Sequence, residues 1–268
     1  VTFSDDPLRM MRAVRFASQL GFTIEEETFE AIRRNAERIR IVSRERIVTE
    51  LNKIVLSPVP SMGFELLELT GLLERIFPEM HNLKGVEKRG RHAHKDNFIH
   101  TLKVVDNVAR RSGDLWLRWA AVLHDIAKPQ CRTVGPDGAA HFKGHNQRGA
   151  QAARTILRRL KAPAYLTDGA VGLIAVHDAP LPADDAGILK LLNRSGAIFL
   201  RRLCALKYAD LDAHANTPEV AARRADVAAF ERRMNELAKT GCYTMRQLAV
   251  NGADLMDIGI PAGPGVGA

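Results

Sequence analysis

The sequence contains little cysteine and few aromatic residues. Its three cysteines (Cys131, Cys204 and Cys242) lie far apart, which argues against a disulfide framework or a cysteine-based zinc site and favours a reducing, cytoplasmic setting. No run of about 18 uncharged apolar residues occurs, and this excludes an ordinary transmembrane helix. Aromatic residues make up 6% of the chain, whereas alanine, leucine and arginine are frequent, and this composition favours helices over sheets.

Apolar residues and positive charge are abundant. The chain has 268 residues, of which 46% are hydrophobic, so it can build one large domain or two modest ones. Lysine and arginine number 39 against 31 acidic residues, a net charge of +8. This excess predicts a polyanionic partner such as a nucleic acid, whereas nothing in the pattern indicates a membrane surface as partner.

Helical periodicity dominates the chain, and no segment alternates with a period of two over six residues. We therefore predict an all-α protein, with a loop or short hairpin at 128–144. A basic linker at 85–95 is expected to separate two helical units. The chain begins abruptly at Val1 and ends in a Gly/Pro run, which we interpret as a piece of a longer protein. The alternative is a complete small protein. The predicted helices cover 5–20, 26–38, 43–56, 61–77 with a break at Gly71, 97–111, 114–127, 146–160, 164–177, 185–193, 196–213 and 218–239.

A histidine–aspartate pair ends one of the most apolar predicted helices. His124 and Asp125 follow Leu115–Leu123 and precede Pro129. A carboxylate in apolar surroundings needs a compensating cation or hydrogen bonds, and a divalent metal would supply the charge. With His100 on the preceding helix and Asp210 further along, the donors are two imidazoles and two carboxylates. Such a set suits Mn, Ni, Fe, Co or Zn better than Mg alone.

The order of these residues resembles the HD-domain metal-dependent phosphohydrolases. The matching strings are Asp96–Leu102, Leu123–Pro129, His141–His145 and Val176–Asp178. The resemblance implies a first metal held by His100, His124, Asp125 and Asp210, and a second held by His145 and His177 with Asp125 bridging. It also implies that Lys128 lies near the substrate phosphate, so that His124, Asp125 and Lys128 carry the chemistry. Ala127 stands where relatives usually have glycine. The remaining histidines are expected in loops or on the surface: His81, His92, His94, His141 and His214.

The first residues resemble the neck of bacterial CCA-adding tRNA nucleotidyltransferases and their poly(A) polymerase relatives. The strings that carry this resemblance are Thr2–Ala17, Leu20–Phe22, Ile41–Ile47 and Asn251–Met256. It implies a helical neck at 1–84, an HD-type helical domain at 96–240 and the start of a C-terminal body at 241–268. The head, which would hold Mg²⁺, is not in the sequence. tRNA is the implied partner, and CTP and ATP are the implied substrates of the intact enzyme.

In this family an acidic motif reads the incoming base. The motif matches Asp5, Asp6 and Arg9 of this chain, with Asp5 where glutamate is usual, and Arg12 continues it on a neighbouring face. A carboxylate can accept from an exocyclic amine, and a guanidinium can donate to ring acceptors. The alternative is that Asp5 and Asp6 complement the helix dipole and pair with Arg9 or Arg12.

A run of positive charge without acids extends from Lys143 to Lys161. Within it Arg154, Arg158 and Lys161 have helical spacing and share a face, which we predict to bind RNA phosphates. The alternative is a solvated helix face.

The sequence therefore predicts the C-terminal portion of a CCA tRNA nucleotidyltransferase whose HD domain hydrolyses phosphoesters with a divalent metal. By resemblance, its substrates are 2′,3′-cyclic phosphates or phosphomonoesters at RNA ends. The alternatives are a poly(A) polymerase relative, a stand-alone HD-family nucleotide phosphohydrolase, and a non-catalytic RNA-binding body with a structural metal.

Overall fold

The protein is α-helical throughout the part that the computed structural model describes, which comprises residues 2–85, 88–89, 92–93, 96–136, 140–241, 243–244 and 252–259. The all-α prediction is confirmed. Two short antiparallel hairpins accompany the helices, β1 with β2 and β3 with β4. The first half contains α1 (Thr2–Asp5), α2 (Leu8–Leu20), α3 (Glu26–Asn35), a 3₁₀ helix (Ala36–Ile41), α4 (Arg44–Val55), α5 (Pro60–Leu69), α6 (Leu72–Ile76), α7 (Pro78–His81), β1 (Lys88–Arg89) and β2 (His92–Ala93). The second half contains α8 (Asn97–Ala109), α9 (Leu115–Leu123), α10 (Lys128–Cys131), β3 (Thr133–Val134), β4 (Ala140–His141), α11 (His145–Arg159), α12 (Ala164–Val176), α13 (Asp185–Leu211), α14 (Pro218–Thr240) and α15 (Gly252–Asp257).

Two glycines interrupt helical runs, one at the predicted break and one at the residue where the predicted helix 196–213 begins. Gly71 separates α5 from α6 with a φ of 73°, and Gly196 interrupts α13 with a φ of 74°. Both values lie in a region that residues with a Cβ rarely adopt. One predicted helix, 5–20, is divided instead: α1 ends at Asp5, and Pro7 caps α2, which begins at Leu8. Proline suits the start of a helix because the first backbone amides of a helix have no acceptor within it, so the N–H that proline lacks is not missed.

The N-terminal helices pack around an apolar core. Met10, Met11 and Val14 of α2 are fully buried, and α2 packs against α4 and α5. A buried ion pair joins two of these helices, since the Arg15 guanidinium lies 2.7 Å from the Glu50 carboxylate. Burial of apolar surface contributes about 25 cal/mol per Å², so the buried apolar side chains contribute more to the stability of these helices than the ion pair does.

The same compact unit continues into the later helices. Trp119 of α9 is fully buried and its indole N–H donates to Asn52 of α4 at 2.7 Å, and the amide of Ser61 donates to Asp106 of α8 at 3.0 Å. One unit comprises residues 1–180 with 202–224, and a second comprises 181–201 with 225–268. The predicted boundary at 85–95, which lies partly outside the described residues, stays a prediction. Among the described residues no helix is long and apolar enough to cross a bilayer.

Candidate metal centre

The predicted metal ligands lie where helices begin or end. Asp96 caps α8 by accepting from the amides of Phe98 and Ile99, and this fixes the first turn that carries His100. His124 follows the last residue of α9, and Asp125 lies in the turn before α10. The other three ligands hold equivalent positions on later helices: His145 begins α11, His177 follows α12 and Asp210 lies in the last turn of α13.

Packing brings the four imidazoles of this set together around its two carboxylates. His100 Nε2 lies 2.8 Å from Asp210 Oδ1 and 3.6 Å from Asp125 Oδ2. His124 Nε2 lies 3.2 Å from the same Asp125 oxygen. On the other side, the Nε2 atoms of His145 and His177 lie 3.7 and 4.0 Å from Asp125 Oδ1. The Asp125 carboxylate thus stands between two pairs of imidazoles, as a bridging ligand would.

Three of the imidazoles are held in the tautomer that binds metals. The Nδ1 atoms of His124, His145 and His177 donate to the carbonyls of Ala121, Phe142 and Ile174, each three residues earlier, at 2.8, 2.9 and 2.7 Å. A proton held on Nδ1 leaves the lone pair on Nε2, the atom that faces Asp125. Backbone acceptors of this kind orient metal-binding histidines.

The chemistry of the donor set fits a divalent cation. His124 and Asp125 are each 1% exposed. Among the described residues, His124 Nε2 and Asp125 Oδ1 have no hydrogen-bond partner. Buried polar atoms without partners are costly, and a cation between them would satisfy both. The structure therefore contains groups compatible with a divalent metal site.

The protonation states favour ligation by most of these residues. Burial lowers the pKa of His100 and that of His177 to about 4, so both imidazoles are neutral at pH 7. Burial opposes ionisation of Asp125, but the nearby charges of His124 and Lys128 outweigh it and hold the carboxyl pKa well below its usual range. Burial lowers the pKa of His124, but the Asp125 carboxylate outweighs this effect and raises it above its usual value.

Lys128 places a positive charge at the edge of the same cluster. Its Nζ lies 2.6 Å from Asp125 Oδ2, and its side chain is 20% exposed. The ammonium also lies 5.6 Å from the centre of the Phe142 ring. Lys128 therefore borders both the buried carboxylate and solvent, where it can meet an anionic substrate.

Comparison with known proteins agrees with this geometry. Residues 97–211 match the model of the HD domain, and residues 21–84 match a model described as the probable RNA and SrmB binding site of polymerase A. The chain is 37% identical over 216 residues to the A-adding tRNA nucleotidyltransferase of Deinococcus radiodurans, covering 78% of this chain and 49% of that protein. The chain is homologous to bacterial tRNA nucleotidyltransferases and carries an HD domain.

Other relatives of the same kind extend the comparison. The chain is 37% identical over 202 residues to the multifunctional CCA protein of Nitrosococcus oceani, covering 73% of this chain and 49% of the relative. It is 36% identical over 211 residues to the CC-adding tRNA nucleotidyltransferase of Thermus thermophilus, covering 74% and 45%. The chain thus spans about half the length of these curated relatives.

One histidine near the HD residues was not predicted. His214 lies in a loop, as expected, yet its Nε2 is 3.4 Å from Asp210 Oδ1 and its ring centre is 4.9 Å from that of His100. The sequence spacing could have indicated this position, because His214 follows Asp210 by four residues and residues four apart on a helix are neighbours. Of the other histidines, His81 pairs with Glu68 and His141 is exposed, while His94 and the His92 side chain lie outside the described residues.

The predicted base-reading motif borders the start of α2 in the N-terminal helices. Arg9 and Arg12 are exposed on α2, and Asp5 is exposed at the end of α1. Asp6 accepts from the amide of Leu8 at 3.2 Å and forms an ion pair with Arg46 at 3.0 Å. Burial opposes ionisation of Asp6, but the amide hydrogen bond from Leu8 and the charge of Arg46 together outweigh it and lower the carboxyl pKa. The alternative interpretation of the sequence paired Asp6 with Arg9 or Arg12, whereas its ion-pair partner in the structure is Arg46 of α4.

The basic face of α11 is partly neutralised. Arg154 forms an ion pair with Asp168 of α12 at 2.6 Å, while Arg158 and Lys161 are exposed. Outside the predicted face, Arg159 binds both carboxylate oxygens of Glu79, at 2.5 and 2.7 Å. Lys161 lies beyond the last residue of α11 and has a φ of 59°, so the predicted helical face does not extend to it. The cations available to a polyanion in this region are therefore Arg158 on the helix and Lys161 just after it, and Arg154 only if its ion pair breaks.

Proposed function

We propose that this chain is the neck and HD portion of a tRNA nucleotidyltransferase, and that its HD site hydrolyses phosphoesters with a bound divalent metal. The observation that carries the hydrolytic proposal is the convergence of four imidazole Nε2 atoms on the buried Asp125 carboxylate. His100, His124, Asp125 and Asp210 would hold one cation. His145 and His177 would hold a second, with Asp125 shared. Manganese, nickel, iron, cobalt and zinc suit this mixture of nitrogen and oxygen donors.

The protein side chains would bind and orient a phosphoester. A divalent cation, when bound, acts as a Lewis acid and makes water a nucleophile at neutral pH. Lys128 borders solvent beside Asp125, and its charge would offset the negative charge that develops on the phosphate oxygens. The buried walls around His124 keep the dielectric low, which strengthens every charge interaction there. Cyclic 2′,3′-phosphates and phosphomonoesters at RNA ends are the proposed substrates.

Hydrolysis is tested with bis-p-nitrophenyl phosphate and the complete chain, loaded in turn with Mn²⁺, Ni²⁺, Co²⁺ and Mg²⁺. We expect turnover with at least one transition metal, and a loss of at least about tenfold in Asp125→Asn because a bridging ligand is weakened. Asp178→Asn is the matched control. It changes the other His–Asp pair of the HD domain, where the carboxylate is 51% exposed and faces Arg223.

The results of this assay distinguish a catalytic metal site from a structural one. Equal activity in wild type, Asp125→Asn and Asp178→Asn would assign the turnover to a contaminant and refute the proposal. A protein that binds metal but shows no turnover with any of the four ions would support the alternative of a structural metal in a non-catalytic RNA-binding body.

We also propose tRNA as the partner, with Arg154, Arg158 and Lys161 contacting its backbone. Three observations support this proposal: the match of residues 21–84 to the RNA-binding model of polymerase A, the similarity to tRNA nucleotidyltransferases, and the exposure of Arg158 and Lys161. Within the intact enzyme, Asp5, Asp6, Arg9 and Arg12 are proposed to read CTP and ATP, with Mg²⁺ held by a separate head. Arg46 would then orient the Asp6 carboxylate toward the base.

RNA binding is tested by electrophoretic shift of tRNA at several salt concentrations. Reversing both exposed charges, Arg158→Glu with Lys161→Glu, is expected to weaken binding and to reduce the salt slope by about 0.7–0.9 for each lost phosphate contact. Arg232→Glu, an exposed arginine of α14, is the control. If the double variant and the control bind alike, this face is solvated and does not contact RNA.

A further inference from the structure

We propose that His214 is a ligand of the metal centre on its solvent side. It would add one ligand to the cation that His100 and Asp210 hold. This inference rests on the proposed metal-dependent function, because it assigns one more residue to that same site.

The backbone after α13 places His214 beside Asp210. α13 ends at Leu211, but the helical turn does not open there: the amide of Ala213 donates to the Asp210 carbonyl at 3.0 Å, and that of His214 donates to the Leu211 carbonyl at 3.1 Å. The tightened turn keeps His214 on the face that Asp210 occupies four residues earlier. Ala213 is buried, which anchors the turn against the rest of its unit.

The distances match those of a shared cation. Two ligand atoms that each lie about 2.1 Å from a metal are roughly 3.0–3.6 Å apart when the angle between them is about 90–120°, the range of angles between neighbouring ligands in coordination by four to six atoms. His214 Nε2 and Asp210 Oδ1 are 3.4 Å apart. The ligand atoms of His100, Asp210 and His214 all lie within 4.8 Å of one another. These three residues therefore offer two nitrogens and one oxygen around one position.

Exposure distinguishes His214 from the other histidines of the centre. Its side chain is 34% exposed, whereas that of His100 is 1% exposed. A ligand on the solvent side is the one that an arriving phosphate meets first. His214 would thus lie on the solvent side of the cation position. Because its side chain is partly exposed, its replacement should have little effect on folding.

A hydrogen bond from His214 Nε2 to Asp210 would have the same length, so the test must separate ligation from positioning. Glutamine and alanine replacements do this. The glutamine amide can still donate a hydrogen bond to Asp210 but is a poor ligand for a transition metal, whereas alanine can do neither.

The experiment titrates Co²⁺ into the complete, metal-free chain and follows the visible absorbance of bound cobalt, with cobalt content measured after dialysis. We expect His214→Ala and His214→Gln to bind the ion held by His100 and Asp210 at least about tenfold more weakly than wild type. Their metal-free melting temperatures should match wild type. His141→Ala, an exposed histidine of β4, serves as the control and should bind cobalt like wild type.

Each result supports or overturns a defined statement. Wild-type affinity in both variants overturns the assignment of His214 and leaves the proposed function standing. Wild-type affinity in His214→Gln alone shows a hydrogen bond to Asp210 and overturns ligation. If the wild-type chain binds no cobalt, the proposed metal function fails, and the assignment of His214 fails with it.

Discussion

Arg118 offers the sharpest test of how this protein is held together. Its guanidinium is buried, and every hydrogen bond that it donates goes to a backbone carbonyl. The acceptors include the last residues of two helices, Val55 of α4 and Ala109 of α8, at 2.8 and 3.1 Å. The other two, Ser112 and Ser57, both lie at 2.8 Å. Carbonyls at helix C-termini have no partner within the helix and carry partial negative charge. Arg118 therefore caps two helices at once.

Arg118→Met keeps most of the volume and removes the donors. Four carbonyls then lose a partner, two of them in buried and two in partly buried hydrogen bonds. At about 1 kcal/mol for each hydrogen bond, this predicts a loss of up to about 4 kcal/mol in the free energy of unfolding. For a unit of this size, that corresponds to a fall of roughly 10 °C in melting temperature. Arg118→Lys should lie between, because a lysine keeps the charge but lacks the planar fork that reaches four acceptors.

Urea unfolding followed by far-ultraviolet circular dichroism measures this loss. Arg158→Met, an exposed arginine of α11, is the matched control and should change stability by less than about 0.5 kcal/mol. A loss in Arg118→Met no larger than in the control would refute the reasoning, since the four carbonyls would then be satisfied without the guanidinium.

Two further results follow from packing and from protonation. Gly169→Ala should destabilise the protein by about 1–3 kcal/mol in the same urea assay, because the added Cβ would overlap the Trp116 ring in a tightly packed contact between α12 and α9. Gly113→Ala is the control, since a Cβ there meets open space and should not destabilise the protein. Equal losses of stability in the two variants would contradict the packing argument. Cobalt affinity should fall as the pH is lowered from 7.5 to 5.5, because protons compete with the cation for the ligand atoms and the pKa of His124 is raised. A cobalt titration in which the affinity does not depend on pH would contradict this.

The local features of the fold could be read from the sequence because their causes are local. Asp96 and Asp114 cap the helices that carry the HD residues, and Gly71 breaks a helix by its positive φ. Likewise, Pro129 lies in the first turn of α10, just after the turn that holds Asp125. Capping, glycine geometry and proline sterics act over a few residues, so each leaves a recognisable pattern.

Contacts between distant segments could not be predicted in the same way. The pairing of Asp6 with Arg46, the capping of two helices by Arg118 and the approach of His214 to His100 all depend on how helices pack. The order of the histidines and aspartates along the sequence was enough to predict a metal centre, because the same order occurs in a known family. Only the tertiary structure decided which Nε2 atoms face Asp125, since residues 100 and 210 meet through packing of buried apolar faces that no local pattern specifies.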